Sequence, residues 1–211
     1  VTTVDTQAFS NCLSLKSINV PNVTTVANNA FYNCYSLASI ETPNVETIGN
    51  NAFYYCYTLN SIDLPNVESI GDQAFYYCYN LTSVNAPNLV TLGGNNNSGY
   101  GIFEDCERLS SVTLSDNITS IPYRCFQYCS SLKEIVLPNS LTSIANYAFS
   151  YSALTDIAIP EGVKTIGYYA FRSCPLTNIS IPSTIEYIDN SSFYYCNSIA
   201  DVYCYAVAPI T

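Results

Sequence analysis

One hydrophobic pattern recurs along the whole chain and constrains the fold more than any other feature. A phenylalanine preceded by alanine stands at positions 9, 31, 53 and 75, which are separated by steps of 22 residues. The series continues at Phe103, Phe126, Phe149, Phe171 and Phe193. Self-similarity at this period is the signature of a solenoid, in which each unit buries its apolar side against the next unit.

Each unit carries a fixed set of apolar positions separated by polar ones. The unit from Ala52 to Gly71 reads Ala-Phe-x-x-Cys, then x-x-Leu-x-x-Ile-x-Leu-Pro, then x-x-Val-x-x-Ile-Gly. Equivalent positions form columns, such as Leu15, Leu37, Leu59, Leu81, Leu109, Leu132, Leu154 and Leu176. A unit of this size cannot bury such a set alone, so the columns predict a continuous core shared by stacked neighbours.

The pattern also predicts the local structure of each unit. The segment from Leu59 to Leu64 alternates apolar and polar residues near its end, which favours a short strand closed by Pro65. Successive strands would pair in parallel about 4.8 Å apart. The Ala-Phe-x-x-Cys piece is too short for a long helix and suggests one helical or 3₁₀ turn. We therefore expect residues 1–211 to form one right-handed α/β solenoid of about nine repeats.

One insertion interrupts the period near residues 93–101. The segment from Leu92 to Phe103 is about six residues longer than its equivalents and is rich in Gly and Asn. Insertions in repeat proteins usually leave the stack on one face, so this segment is expected to form a surface loop.

The unit Ala-Phe-x-x-Cys-x-x-Leu-x-x-Ile-x-Leu-Pro followed by Val-x-x-Ile-Gly resembles the repeat of the BspA-like leucine-rich repeat family. The resemblance covers nearly all of the chain, with departures at Ser152, Cys125 and Ser115, which replace the column Cys, Ala and Pro. It implies an extracellular or cell-surface protein with a role in adhesion, and it supplies no catalytic residues. Because the first residues already read as part of a repeat, we expect a fragment of a longer protein.

Composition argues against catalysis and against several partners. Histidine is absent, which removes Ser-His and Cys-His pairs and the usual zinc ligand, so we expect no enzyme, no metal and no cofactor. The 16 acidic residues outnumber the 6 basic ones, which disfavours nucleic acid and anionic membrane surfaces. No apolar run is long enough for membrane insertion. Glu104, Asp105 and Glu107 could bind calcium, although a solvated acidic patch is the preferred interpretation.

The cysteines follow the repeat rather than a ligand or disulfide pattern. Eight of the ten lie three residues after the repeat phenylalanine: Cys12, Cys34, Cys56, Cys78, Cys106, Cys129, Cys174 and Cys196. A spacing of about 4.8 Å between neighbouring rungs exceeds the mean Cβ–Cβ distance of about 3.8 Å in disulfides, so buried thiols are expected. Cys125 and Cys204 lie outside the column, and a disulfide involving either remains open.

Two surfaces are candidates for ligand binding. Tyrosines recur in the second to fourth repeats at Tyr32, Tyr35, Tyr54, Tyr57, Tyr76 and Tyr79, where the period would stack them into stripes. Tyrosine offers large, rigid contact area for a protein or a sugar, but stacked rings could equally shield one another on the convex side. The strand face offers small polar residues with acids at Glu41 and Asp63, which suit either a ligand or simple solubility.

We therefore expect a non-enzymatic adhesion module for a protein or glycan on a cell surface or in the extracellular matrix. A rigid structural spacer and a receptor-binding element of a phage-like particle are the alternatives. The exposed terminal rungs leave the oligomeric state open, because solenoids without capping repeats can associate end to end.

Overall fold

The computed structural model describes residues 1–94 and 99–206, which form a stack of similar coils. Each coil contains a turn segment with the repeat phenylalanine, a strand, a Pro-Asn corner and a shorter strand. The strands are β1 Thr3–Val4, β2 Ser17–Asn19, β3 Thr25–Val26, β4 Ser39–Glu41, β5 Thr47–Ile48, β6 Ser61–Asp63, β7 Ser69–Ile70, β8 Ser83–Asn85, β9 Thr91–Leu92, β10 Ser111–Thr113, β11 Ser120–Ile121, β12 Ser143–Ile144, β13 Thr165–Ile166, β14 Asn178–Ile181, β15 Tyr187–Ile188 and β16 Asp201–Cys204.

All strand pairs are parallel, and each pair joins one coil to the next. The two-residue strands form a five-stranded sheet, β1-β3-β5-β7-β9, and a four-stranded sheet, β11-β12-β13-β15. The longer strands form a second face with the sheets β2-β4, β6-β8-β10 and β14-β16. Residues one period apart lie opposite each other, as Ser61 does to Ser83, so the columns in the sequence become columns in space.

The core is a stack of aromatic rings flanked by aliphatic columns. Phe31 and Phe53 have ring centroids 5.3 Å apart, and Phe53 and Phe75 have centroids 5.2 Å apart, with nearly parallel planes. These three side chains are fully buried. The predicted stacking of equivalent phenylalanines in a common interior is therefore confirmed.

The helical or 3₁₀ turns expected in the Ala-Phe-x-x-Cys segments do not form. Within residues 1–94 and 99–206 these segments are runs of hydrogen-bonded turns, and the structure contains no helix, so it offers none that could cross a membrane. The α/β description is therefore wrong in its helical part, whereas the parallel-strand solenoid of the leucine-rich repeat type is correct.

Hydrogen bonds between coils explain why a helix does not form. In the second coil the amide of Phe31 donates to the carbonyl of Ala52 in the next coil at 2.8 Å, whereas the following amide, that of Tyr32, donates to Asn29 within its own coil at 3.1 Å. This alternation needs left-handed backbone at two positions, four residues apart, in the turn segment; in the second coil these are Asn29 (φ 56°) and Asn33 (φ 59°). A helix would direct all of these amides along its own axis and would lose the bonds to the neighbouring coil.

The longer-strand face is interrupted in its C-terminal half. Among the described residues, no strand forms between Thr113 and Asn178 on this face, and one isolated bridge joins Ala158 to Ser180. Val136 points outward here and is 86% exposed, where the earlier coils carry polar residues such as Asp63. The polar surface predicted from the first repeats therefore does not extend along the whole face.

The insertion leaves the aromatic stack intact. Phe75 and Phe103 are 28 residues apart, yet their ring centroids are separated by 5.4 Å, as in uninterrupted coils. Residues 95–98 of the insertion near 93–101 lie outside the described residues. On its C-terminal side, Gly101 approaches the next coil so closely that a Cβ atom would lie 1.9 Å from the carbonyl oxygen of Arg124. Glycine is therefore required at this position.

The ten cysteines all lie within the described residues and are unpaired, including Cys125 and Cys204. Most thiols are buried beside the phenylalanine stack and donate a hydrogen bond to the preceding coil. The Cys78 thiol donates to the carbonyl of Phe53 at 3.1 Å, and the Cys129 thiol donates to Phe103 at 3.2 Å. The expectation of buried thiols is confirmed for six of the eight column cysteines, whereas Cys12 and Cys196 in the first and last coils are half-buried.

Candidate binding surfaces

The turn segments of the second to fifth coils present a continuous cluster of aromatic rings, here called the tyrosine patch. It consists of Tyr32, Tyr35, Tyr54, Tyr55, Tyr57, Tyr76, Tyr77, Tyr79 and Tyr100. The residue after each repeat phenylalanine forms its inner column, in which the Tyr32 and Tyr54 centroids are 4.8 Å apart and the Tyr54 and Tyr76 centroids are 4.9 Å apart. Tyr100 from the insertion stacks on Tyr76 at 4.1 Å.

The inner column is mostly a buried support. Tyr54 is 9% exposed and Tyr76 is 6% exposed. Burial raises the pKa of both hydroxyls well above the usual value, and neighbouring tyrosines or Asp105 raise it further. The hydroxyls are therefore protonated at any physiological pH. For these two residues the structure favours shielding by stacked rings over direct ligand contact.

The outer column carries the accessible part of the patch. Tyr35 and Tyr57 have centroids 5.1 Å apart, and Tyr57 also meets the edge of Tyr77 at 5.5 Å. Tyr35 is 36% exposed and Tyr79 is 40% exposed. These side chains combine ring surface with a free hydroxyl, as protein and sugar ligands require.

Tyr55 and Tyr77 connect the two columns, and the sequence interpretation did not include them among the site residues. Tyr55 contacts Tyr54 at 4.6 Å and Tyr57 at 5.3 Å between centroids. Both have left-handed backbone, with φ 59° at Tyr55 and φ 56° at Tyr77. The Tyr-Tyr pairs in the sequence indicated that these residues are present beside the inner column. Their contact with both columns depends on the left-handed backbone, which the sequence pattern does not specify.

A buried carboxyl group lies beside the patch. Glu104 is only 3% exposed, accepts a hydrogen bond from the Gly101 amide at 2.7 Å and lies 3.6 Å from an Arg124 guanidinium nitrogen. Desolvation raises the pKa of Glu104 to about 7, against the opposing effects of Gly101 and Arg124. The expectation of a solvated acidic patch is therefore wrong for this residue, because the neighbouring coil and Gly101 enclose it.

The calcium alternative gains no geometric support. In the part of the chain that the structure describes, no group of three or more carboxylate or thiol side chains is arranged to hold a metal ion. Glu104 has the Arg124 guanidinium as its ionic partner. Desolvation also raises the pKa of Asp105, and Glu107 raises it further.

Glu41 and Asp63 lie on strands β4 and β6, apart from the tyrosine patch. They border a shallow depression of about 370 Å³ that is also lined by Asn19, Pro21 and Ile40. The Asp63 carboxylate accepts a hydrogen bond from Asn85 at 3.2 Å. The structure therefore separates the predicted site residues into two faces: six tyrosines on the turn segments, and two acids on the strands.

A third surface, not predicted from the sequence, follows the Pro-Asn corners. The Asn44 side-chain amide donates to the Pro21 carbonyl at 2.7 Å, and Asn66 donates to Pro43 at 2.9 Å. This ladder borders a groove of about 660 Å³ that also includes Glu46 and Glu68. The recurrence of Pro-Asn in the sequence was the available signal.

Comparisons with known proteins agree with this architecture. The model of the BspA type leucine-rich repeat region matches six copies over residues 1–97 and 94–200. A leucine-rich repeat protein from Bacteroides ovatus has a similar structure, with a TM-score of 0.80 and 26% identity over 98% of this chain. This chain covers 60% of the B. ovatus chain.

Two further solved structures share the fold. The T. pallidum leucine-rich repeat protein has a TM-score of 0.62 and 28% identity, with 68% of this chain and 69% of that chain covered. A leucine-rich repeat protein from Eubacterium ventriosum has a TM-score of 0.66 and 25% identity, with 83% of this chain and 47% of that chain covered. No curated protein matches the chain.

Proposed function

The chain belongs to the BspA-type leucine-rich repeat family, and on this premise we propose that it is a non-enzymatic binding module of a secreted or cell-surface protein. Its ligand is a protein or glycan of another cell or of the matrix around it. The tyrosine patch is the contact surface, with Tyr35, Tyr57 and Tyr79 as the contacting residues.

The observation that carries the proposal is the division of the patch into a buried support and an exposed layer. Tyr54 and Tyr76 are fixed by stacking and burial, and they hold neighbours that remain accessible. A rigid aromatic surface loses little conformational entropy on binding, which is why such residues dominate binding energy at interfaces. If the tyrosines served only to shield the coil from water, the inner column would be enough, and exposed rings in the outer column would not be needed.

The chemistry of the chain supports binding rather than catalysis. The chain has no histidine. The column thiols of Cys56 and Cys78 are buried, and burial raises their pKa well above the ordinary value, so they remain protonated and unreactive.

The proposal is tested by removing the exposed rings alone. We expect the double variant Tyr35→Ser, Tyr79→Ser to reduce binding to a positive ligand from a matrix-protein and glycan array by at least about tenfold, since truncation of an aromatic hot-spot residue costs about 2 kcal/mol or more. Binding would be measured by surface plasmon resonance on the intact chain.

Matched control residues lie away from the turn segments. Tyr187 on β15 is 42% exposed and Tyr205 after β16 is 58% exposed, and the pair Tyr187→Ser, Tyr205→Ser should leave binding unchanged. Equal affinity of the patch variant and the unaltered chain for every positive ligand would refute the assignment of the patch.

A rigid spacer is the second candidate, because the coils stack at a regular spacing. Eight centroid steps of 5.2–5.5 Å separate Phe9 from Phe193, about 43 Å along the stack. A spacer would require length but no particular surface. Deletion of single repeats, described in the Discussion, separates the two candidates.

A further inference from the structure

The turn segments of the seventh to ninth coils hold an arginine among tyrosine rings. The Arg172 guanidinium carbon lies 4.7 Å from the ring centroid of Tyr169, 5.1 Å from that of Tyr151 and 5.8 Å from that of Tyr194. The rings come from three successive coils, so the stacking of coils positions the cation. Cation–π attraction holds the guanidinium in place without neutralising its charge.

Arg172 has no acidic partner within the described residues. The two ion pairs found in residues 1–94 and 99–206 are Arg124–Glu104 and Lys164–Glu186. The Arg172 Nε atom is buried and has no hydrogen-bond acceptor there. The same is true of the Arg124 Nε atom, so what distinguishes Arg172 is that its positive charge has no carboxylate partner among the described residues.

A second unpaired group occupies the same column one coil earlier. Ser150 follows Phe149 as Arg172 follows Phe171, and its hydroxyl oxygen is fully buried without a partner. In the second to fourth coils this position carries Tyr32, Tyr54 and Tyr76. The polar character of this column in the C-terminal half therefore differs from the aromatic column of the tyrosine patch.

Arg124 shows which group pairs with the charge of an arginine held in this way. Its guanidinium carbon lies 5.0 Å from the ring centroid of Tyr123 and 5.4 Å from that of Tyr147, an arrangement like that of Arg172. In this case a carboxylate, that of Glu104, lies 3.6 Å from a guanidinium nitrogen. The same chain thus contains one aromatic-stacked arginine with a carboxylate and one without.

Charge and exposure define the ligand further. The chain carries a formal net charge of −10, which repels polyanions, so a single guanidinium suits a ligand with one negative charge. Beside Arg172, Tyr194 is 43% exposed and presents its ring to solvent. An aromatic face of this kind suits the C–H face of a sugar ring.

We propose that Arg172, with Tyr151, Tyr169 and Tyr194, binds a glycan that ends in a single carboxylated sugar, such as a sialic or uronic acid. The guanidinium pairs with the sugar carboxylate, and the tyrosine rings stack against the sugar. This site lies outside the tyrosine patch and does not depend on it.

The test uses the intact chain and three probes: sialyllactose, lactose and acetate. We expect sialyllactose to bind measurably in isothermal titration calorimetry, and lactose and acetate to bind at least about tenfold more weakly, because each lacks one of the two contacts. Arg172→Gln should weaken sialyllactose binding by at least about tenfold. The matched variant Arg108→Gln, at an exposed arginine whose guanidinium donates to the Asn80 side chain, should not.

A direct measurement on the unaltered chain keeps the proposal testable if Arg172→Gln does not fold. The chain has three arginines, so their ¹⁵Nε–H signals can be assigned by single Arg→Lys variants. Sialyllactose should shift the Arg172 signal and leave that of Arg108 in place. The Tyr35→Ser, Tyr79→Ser variant should retain this response, which separates the site from the proposed patch.

The opposite results would overturn the proposal. These are an unmoved Arg172 signal, equal binding of lactose or acetate, or equal weakening by Arg108→Gln. An acidic peptide, titrated as a fourth probe, would likewise overturn the proposal in favour of a protein ligand if it bound more tightly than sialyllactose.

Discussion

At the scale of single residues, the column cysteines act as hydrogen-bond donors in a dry interior. The Cys56 thiol donates to the Phe31 carbonyl at 3.2 Å, and the Cys174 thiol donates to Phe149 at 3.1 Å. Desolvation raises the pKa of Cys174 to about 12, so its thiolate form is negligible near neutral pH. The rate at which each cysteine thiol is alkylated should therefore depend on its exposure to solvent.

The first prediction concerns alkylation of the native chain. Cys204 is exposed, and Cys12 and Cys196 are half-buried, whereas the other seven cysteines are buried. With iodoacetamide at pH 8, mass spectrometry should show Cys204 modified first, Cys12 and Cys196 more slowly, and the buried seven only after denaturation. Rapid native modification of Cys78 would contradict a buried, protonated column.

Glu104 supplies a pH dependence whose sign follows from its environment. Its pKa rises from 4.5 to about 7 on folding, because desolvation outweighs the bond from Gly101 and the pairing with Arg124. A carboxyl group whose pKa is higher in the folded state stabilises the fold below its unfolded pKa. That contribution is lost as the pH rises through about 7.

The second prediction is that the free energy of unfolding falls between pH 5 and pH 8 because of Glu104, by about 3 kcal/mol at most. The Glu104→Gln variant should show a flatter profile in urea denaturation at the two pH values. Glu134→Gln, at an exposed position, is the control and should retain the slope of the unaltered chain. Parallel profiles for the unaltered chain and Glu104→Gln would contradict this account.

At the scale of elements, the turn segment and the strand differ in how far the sequence predicts them. The strand at Ser61–Asp63 follows from alternating polarity, and the stacking of Phe53 on Phe75 follows from the period. The turn conformation does not follow, because the Ala-Phe-x-x-Cys pattern suits one helical turn equally well. The structure is decided by bonds between coils, such as that from the Tyr55 amide to Tyr76 at 2.9 Å.

The tyrosine patch, like the coil, follows only in part from the sequence. The period placed Tyr32 and Tyr54 in one column, which the structure confirms at 4.8 Å between centroids. It could not reveal that Tyr54 is buried, because burial depends on neighbours from two other coils. The joining role of Tyr55 depends on left-handed backbone that the residue pattern does not specify, and the contact of Tyr100 with Tyr76 depends on the insertion, which does not repeat.

The third prediction addresses the phenylalanine stack. Phe75 is fully buried between Phe53 and Phe103, so Phe75→Ala should leave a cavity and lower the free energy of unfolding by about 3–5 kcal/mol. Phe193 is only half-buried, and the same change there should cost clearly less. Urea denaturation followed by circular dichroism compares them, and equal losses would show that stacking within the column contributes little.

At the scale of the whole molecule, the chain is close to a one-dimensional assembly in which each coil contacts its neighbours. Strand pairs such as β5 with β7 and β7 with β9 join only successive coils. In such proteins stability is approximately a sum over units and interfaces. Removing one complete period should therefore shorten the stack without destroying it.

The fourth prediction uses this property to separate a binding module from a spacer. Deletion of residues 46–67 joins Val45 to Glu68 in register and removes Tyr54, Tyr55 and Tyr57. Deletion of residues 142–163 joins Leu141 to Lys164, also in register, outside the tyrosine patch. Both chains should fold, as judged by circular dichroism and cooperative unfolding.

The first deletion should abolish ligand binding through the patch, and the second should preserve it. A spacer would instead tolerate both deletions equally in a cell-attachment assay with the full-length protein. Loss of binding with the second deletion alone would contradict the patch assignment.

The uninterrupted Phe75–Phe103 contact across the insertion has a practical consequence. The stack constrains only the points where the chain leaves one coil and enters the next. Gly94, with its positive φ, and Gly101, with its close approach to Arg124, provide the backbone conformation needed on either side of the extra residues. Residues can therefore be added after Gly94 during evolution without a compensating change in the scaffold, as long as Tyr100 keeps its contact with Tyr76. The same site would serve an engineer as a graft point for a foreign epitope.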